Sequence, residues 1–310
     1  MFAKIAYHLV VYPISNLPIR VIYLFTDFLY LLLVTVFPYR KKVIEQNMSR
    51  SFPEKSTAEI KKMRNQFYRF FTDLLAEGIK NLSISEKELR KRLVVKNPEI
   101  MDDLFQKGKS VLLVSGHYNN WEWLITGQSL LFPHQAVGIG MPMSSKYWDK
   151  KINQRRSRFG MIILHSKNVR TEFEAMRDQI FATLTLADQS PGDSTKAYWM
   201  NFLHQPTAVA FGCEQLAHQH NQAVVFFILR CLKRGYYEME LTVITENPSE
   251  TDWGFISESH THLLEREIIA NPARWLWSHK RWKRDVPTDL EALKKEQKAK
   301  FDSKFKSTPQ

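Results

Sequence analysis

Val111-Leu112-Leu113-Val114-Ser115-Gly116-His117-Tyr118-Asn119-Asn120-Trp121-Glu122 is the stretch on which the fold turns. Four apolar residues run into Ser-Gly, the pattern of a short strand buried on both faces. A polar turn carrying His117 follows, and Glu122 falls in the first turns of the next helix. In open α/β sheets ligands bind at the carboxyl ends of strands, so this turn is where chemistry is expected. Residues five apart do not share a helix face. His117 and Glu122 can meet only if His117 stands before the helix, which Gly116 and the strand end permit.

Similar patterns recur downstream. Ala136 to Ile139 and Met161 to Leu164 are weaker strand candidates. Phe181 to Ala187 is a strand ending in Asp188-Gln189, and Ala223 to Leu229 is a buried strand. Tyr236 to Ile244 alternates, as an edge or antiparallel strand does. Ala208 to His218 reads as a helix, and so does the last segment from Leu263, which carries Trp275, Trp277 and Trp282. Upstream, Ser56-Thr57-Ala58-Glu59 is a helix start with a capping box. Met63, Phe67, Phe70, Phe71, Leu74 and Leu75 follow it at helical spacing. Strands alternating with helices predict an α/β sheet with right-handed crossovers. No internal repeat is visible.

The N-terminus bears on compartment. Val21 to Phe37 reads VIYLFTDFLYLLLVTVF, broken only by Thr26, Asp27 and Thr35. Counted from Pro18 the run is about 20 residues, near the length that crosses ~30 Å of hydrocarbon, although Asp27 is expensive there. A cleaved signal peptide fits poorly, because no small-residue cleavage site follows. A buried core helix and a membrane anchor, spanning or partly inserted, both stay open. The anchor is favoured, and Arg40, Lys41 and Lys42 then place the remainder of the chain in the cytoplasm. The expected organisation is an anchor over residues 1–40, an α/β domain over 41–285 and a charged, flexible or solvated tail over 286–310.

With 310 residues, 44% hydrophobic and 25% charged, the chain can bury a sizeable core and is not disordered as a whole. The net charge of +12 attracts nucleic acid, anionic headgroups or acidic proteins without choosing among them. Cys213 and Cys231 make no disulfide framework, and no Cys/His cluster suggests zinc. Histidine is the natural general base near neutral pH. A carboxylate on one ring nitrogen fixes the tautomer and raises the basicity of the other, which is the expectation for His117 and Glu122. No serine or cysteine is placed to act as nucleophile, so the attacking group would be a substrate hydroxyl.

The stretch resembles the His-x4-Asp/Glu motif of the glycerolipid acyltransferase superfamily, in the His-x4-Glu form of the bacterial late lipid A biosynthesis acyltransferases. Other segments are similar to that family in the same order. They are Tyr39-Arg40, Asn47-Met48 and Ser51-Phe52-Pro53-Glu54, then Arg156-Ser157-Arg158-Phe159-Gly160, then Ala187-Asp188-Gln189. Phe202 to Ala217 and Asn271-Pro272 through Trp275-Leu276-Trp277-Ser278-His279 to Trp282 complete the resemblance. One departure is His204, where the family has glycine.

The resemblance implies a glycerol-3-phosphate acyltransferase-like fold, a mixed sheet flanked by helices behind an N-terminal membrane-anchoring helix. It implies a membrane-bound O-acyltransferase at the cytoplasmic face of the inner membrane. His117 would deprotonate the acceptor hydroxyl, and Glu122 would orient and polarise it. Arg156 or Arg158 would bind phosphate or steady the oxyanion, unless both belong to a solvated basic helix. Asn120 is a further substrate-binding candidate, and Asp188 would support the site or cap a helix. The implied donor is acyl carrier protein, an acidic partner that suits the charge, or acyl-CoA. The acceptor is a lipid A precursor, with a lysophospholipid or amino-acid lipid as alternatives. No metal or redox cofactor is implied.

Rival classes lack their signatures. There is no Gly-x-Ser-x-Gly elbow of an α/β-hydrolase. Asp103 stands where a Walker loop ending in Gly108-Lys109-Ser110 needs its first glycine, and Gly138-x-Gly140 lacks the third glycine of a dinucleotide site. A nucleic-acid-binding protein needs no apolar anchor, and the basic residues here are spread along the chain. A non-catalytic basic membrane-interface protein stays open if the His–Glu pair is incidental.

Overall fold

The computed structural model describes residues 2–140, 143–165 and 169–306. Its centre is a seven-stranded sheet. The strands are β1 (Leu93–Val95), β2 (Val111–Ser115), β3 (Gln135–Gly140), β4 (Ile162–His165), β5 (Phe181–Leu186), β8 (Ala223–Lys233) and β9 (Tyr236–Thr245). A separate antiparallel hairpin is formed by β6 (Tyr198–Phe202) and β7 (Gln205–Val209). The large sheet runs β1-β9-β8-β2-β5-β3-β4, and all its neighbours are parallel except β8 and β9. The expected mixed α/β sheet flanked by helices is therefore present.

β2 lies at the middle of the sheet. Val111, Leu112, Leu113 and Val114 have no exposed surface, and burying each such side chain is worth ~1.5–3 kcal/mol. That burial is why a run with no alternation makes the central strand. The chain leaves β2 toward β3 on one side and later reaches β8 on the other. The carboxyl end of β2 is thus the point where strand order reverses, the usual binding crevice of such sheets.

Several sequence readings shift. The stretch expected as a helix from Ala208 instead ends β7, and the helix begins at Gly212 and runs to His220. Phe202 pairs with Gln205 across a two-residue turn in which Leu203 and His204 both have positive φ, 50° and 62°. A hairpin of this kind needs left-handed backbone, which explains why glycine suits the position that His204 fills. Tyr236–Thr245 is antiparallel to β8 but is not an edge, because β1 pairs with its other side. The helix read from Leu263 begins at Phe255 and stops at Ala270, where Pro272 follows, and the tryptophans lie on the non-helical segment beyond. In the expected tail, Leu290–Phe305 is a helix with Phe301 buried against Phe211 and His218. Residues 307–310 lie outside the described residues.

No single helix among the described residues is long and apolar enough to cross a membrane. Ile19–Thr35 has 17 residues, and a bend of 118° separates it from the helical stretch ending at Asn16. It packs along Thr57–Lys80. Ile19, Ile22, Tyr23, Thr26 and Leu33 face inward, whereas Leu24, Phe25, Phe28 and Leu31 are exposed. Asp27, costly in a lipid-facing helix, faces protein and pairs with Arg69 (2.7 Å) and Arg234.

Candidate active site

Four elements converge on the end of β2. Gly116 follows β2, and a Cβ there would lie 2.5 Å from Leu264 Cδ2 and 2.9 Å from Asp188 Cγ. Only glycine lets Asp188, two residues past β5, approach the turn so closely. Asp188 Oδ1 is 2.6 Å from His117 Nδ1, and Asp188 Oδ2 accepts the His117 backbone N–H (2.8 Å) and Trp275 Nε1 (2.7 Å). An ionised carboxylate only accepts hydrogen bonds, so the Nδ1 of a neutral His117 carries its proton and Nε2 is left as the acceptor. Burial works against the charged form of Asp188. The His117 ring and the three donors outweigh it and lower its pKa from 3.8 to about 2.

The carboxylate bonded to His117 is therefore Asp188 and not Glu122, as the five-residue spacing had suggested. Glu122 begins the helix Trp121–Leu131 and is clamped by two arginines of the helix Lys146–Arg156. Arg156 Nη2 reaches Oε1 at 2.5 Å, and Arg155 Nη2 bonds Oε2. Burial again opposes ionisation, but Arg155 and then Arg156 hold the Glu122 pKa below its usual value. Burial lowers the pKa of Arg155 while Glu122 pulls it back up. One carboxylate against two guanidinium groups leaves an excess positive charge at this rim.

His117, Glu122 and Arg156 line one cavity of about 460 Å³, together with Gln189, Trp121, Ile125, Ile139, Leu184 and Leu276. Gln189 Nε2 sits 3.2 Å from His117 Nε2, so the accepting ring nitrogen meets the Gln189 amide at the cavity wall. The lining mixes apolar side chains with the histidine ring, the Glu122–Arg156 pair and the Gln189 amide. Among the described residues no three His, Cys, Asp or Glu side chains gather as metal ligands would.

The remaining candidates do not line this cavity. Arg158 donates to the carbonyls of Leu82 (3.2 Å) and Ile84, fastening the loop after Thr57–Lys80. Asn120 is fully buried. Its Oδ1 caps the helix at Trp123 N (3.0 Å), and its Nδ2 donates to Glu77 Oε2 (2.5 Å). Both are occupied with the protein itself, in contrast to the substrate contacts expected of them.

Sequence reasoning left Arg155 unmentioned and quoted Gln189 and Trp275 only within family-like segments, without a site role. Arg155 adjoins Arg156 in a doublet, and Gln189 follows Asp188, so both had local signals. Trp275 is brought in from 87 residues away. The turn itself is bound to its segment: Tyr118 bridges Trp275, and Asn119 N donates to Arg274 O (3.0 Å). His279 Nε2 accepts the Ser190 N–H (3.1 Å), and burial pushes its pKa down to about 4.

A family model described as bacterial lipid A biosynthesis acyltransferase matches residues 2–284. The chain belongs to that family. It is an acyltransferase enzyme. The match takes in every residue of the site above, and the helix Leu290–Phe305 lies beyond it. No curated protein matches the chain significantly.

Proposed function

We propose that this acyltransferase moves a fatty acyl chain from an acyl thioester onto a hydroxyl of a lipid A precursor, with His117 as general base. The observation that carries the reading is the His117 ring, oriented by Asp188 with its Nε2 at a cavity that Arg156 also lines. The hydroxyl proton passes to Nε2 as the oxygen attacks the thioester carbon. The tetrahedral intermediate expels the thiolate, which takes the proton from the imidazolium. No acyl-enzyme forms, because among the described residues the cavity lining contains no serine or cysteine. The cavity takes the acyl chain.

Glu122 holds Arg155 and Arg156 at the rim. The excess positive charge there steadies the oxyanion or binds a phosphate of the acceptor. Acyl carrier protein is the donor we favour, since it is acidic and the chain carries +12.

The N-terminal helices serve as the membrane contact. Leu9, Val10, Leu24, Phe25, Phe28, Leu31 and Phe37 make an exposed apolar surface, and the bend suits helices lying in the interface plane rather than across it. The Arg40-Lys41-Lys42 run beside them adds basic charge that suits an anionic leaflet, and the cytoplasmic face of the inner membrane is the side we favour.

The test is mass spectrometry of lipids after the purified protein, long-chain acyl–acyl carrier protein and a total bacterial lipid extract are incubated together. His117→Ala is the control, and acyl-CoA replaces the donor in a second arm. A species one acyl chain heavier, absent with the variant, supports the reading. If neither donor is consumed, the reading is wrong.

A further inference from the structure

Glu77 lies on the buried face of Thr57–Lys80 with no exposed surface. Its Oε1 accepts the Tyr23 hydroxyl (2.6 Å) from Ile19–Thr35. Its Oε2 accepts the Tyr237 hydroxyl (2.8 Å) from β9 and Asn120 Nδ2 (2.5 Å) from the catalytic turn. Its backbone carbonyl accepts Trp123 Nε1 (3.0 Å), one residue beyond Glu122. Three side chains thus converge on one carboxyl group. Asn120 cannot reverse its amide to adapt, because its Oδ1 already caps the helix at Trp123.

The consequence is geometric. Asn120 separates His117 from Glu122, and it is held from below by Glu77 while His117 is held from the side by Asp188. The same carboxylate holds Tyr23, whose ring lies 3.8 Å from the Arg234 guanidinium. A Cβ on Gly235, at the β8–β9 turn, would meet the Tyr23 hydroxyl at 2.6 Å. Tyr23 is thus packed close against that turn, and its oxygen is two hydrogen bonds from Asn120.

We infer that Glu77 is a positioning residue for acyl transfer, and that through Tyr23 it makes the geometry of the His117–Glu122 turn depend on how the N-terminal helix is seated. Leu24, Phe25 and Phe28 of that helix point outward, so a surface that engages them acts on the element wired to the turn. The inference rests on the acyl-transfer reading above.

The experiment compares full-length wild type with Glu77→Gln, Tyr23→Phe and Met101→Ala. Met101 is buried in the helix Glu99–Gln106, which takes no part in this network, so its truncation is the matched loss of stability. We expect kcat to fall at least tenfold in Glu77→Gln and at least threefold in Tyr23→Phe. KM for the thioester stays within twofold in both, and Met101→Ala keeps kcat despite an equal or larger drop in Tm. The His117 ring titration, followed by NMR of labelled histidine, moves in the first two variants and not in Met101→Ala. Wild-type kcat in both, or losses that merely track Tm as in Met101→Ala, overturns the inference. If Glu77→Gln does not fold, Tyr23→Phe decides, since it removes a single oxygen. If wild type transfers no acyl group, the functional reading fails, and an unmoved His117 titration separately sinks the positioning role.

Discussion

Asp188 and His117 stand 71 residues apart in the chain, yet the carboxylate meets both the ring Nδ1 and the backbone N–H of the histidine, at 2.6 and 2.8 Å. Two bonds to one residue fix the ring and the turn together. Asp188→Asn presents an amide that can donate toward Nδ1, which favours the wrong tautomer. We expect kcat to fall about 10³–10⁴-fold, by analogy with Ser-His-Asp enzymes, with the fold intact by circular dichroism. A loss under tenfold would show that Asp188 is not the orienting group.

Glu122 separates two effects. Glu122→Ala should abolish transfer and also lower Tm, because Arg155, with its side chain only 10% exposed, loses its anion. Glu122→Gln keeps the shape and removes the charge, so it should fold better and still turn over at least tenfold more slowly. Equal Tm for wild type and Glu122→Ala would contradict the clamp.

pH dependence follows from two buried acids of opposite sign. The Asp188 pKa is lowered, so its contribution is full above pH 3.8 and lost as pH falls toward 2. The Glu77 pKa is raised from 4.5 to about 7, chiefly by burial and despite its three donors. Its contribution is full below pH 4.5 and is lost as pH rises through 7. Wild type minus Glu77→Gln should therefore give a more favourable Tm difference at pH 5 than at pH 8. A difference that does not change with pH would refute this.

His204 holds a left-handed position at φ 62°. His204→Gly should relieve that strain and stabilise the protein by up to about 1 kcal/mol, with kcat unchanged, since His204 does not line the cavity. Urea denaturation measures it, and a destabilised variant would mean that the imidazole makes a compensating contact.

The membrane face is tested on the surface and not by truncation. Removing the first 38 residues would take out buried Ile22 and Tyr23, so the truncated protein should unfold. Phe25→Glu with Phe28→Glu changes only exposed side chains. Co-sedimentation with phosphatidylglycerol vesicles should drop at least tenfold at constant Tm. Undiminished sedimentation would put the membrane contact elsewhere.

The sequence by itself determined the sheet class, the central strand Val111–Val114 and the His117 turn at its end. It also determined the capping box at Ser56, which is present with both of its bonds. These are local properties, set by apolar periodicity and by residues within a turn of one another. The pairing of His117 was not local. Asp188 and Trp275 reach it across 71 and 87 residues, and no spacing encodes which of two carboxylates a histidine will meet. Nor could hydropathy decide the N-terminal helix. Its apolar run is real, but Tyr23 and Asp27 find Glu77, Arg69 and Arg234 only when the chain is folded. Tertiary structure alone turned an apparent span into a helix with one face in the core, because a buried polar group goes where its partners are.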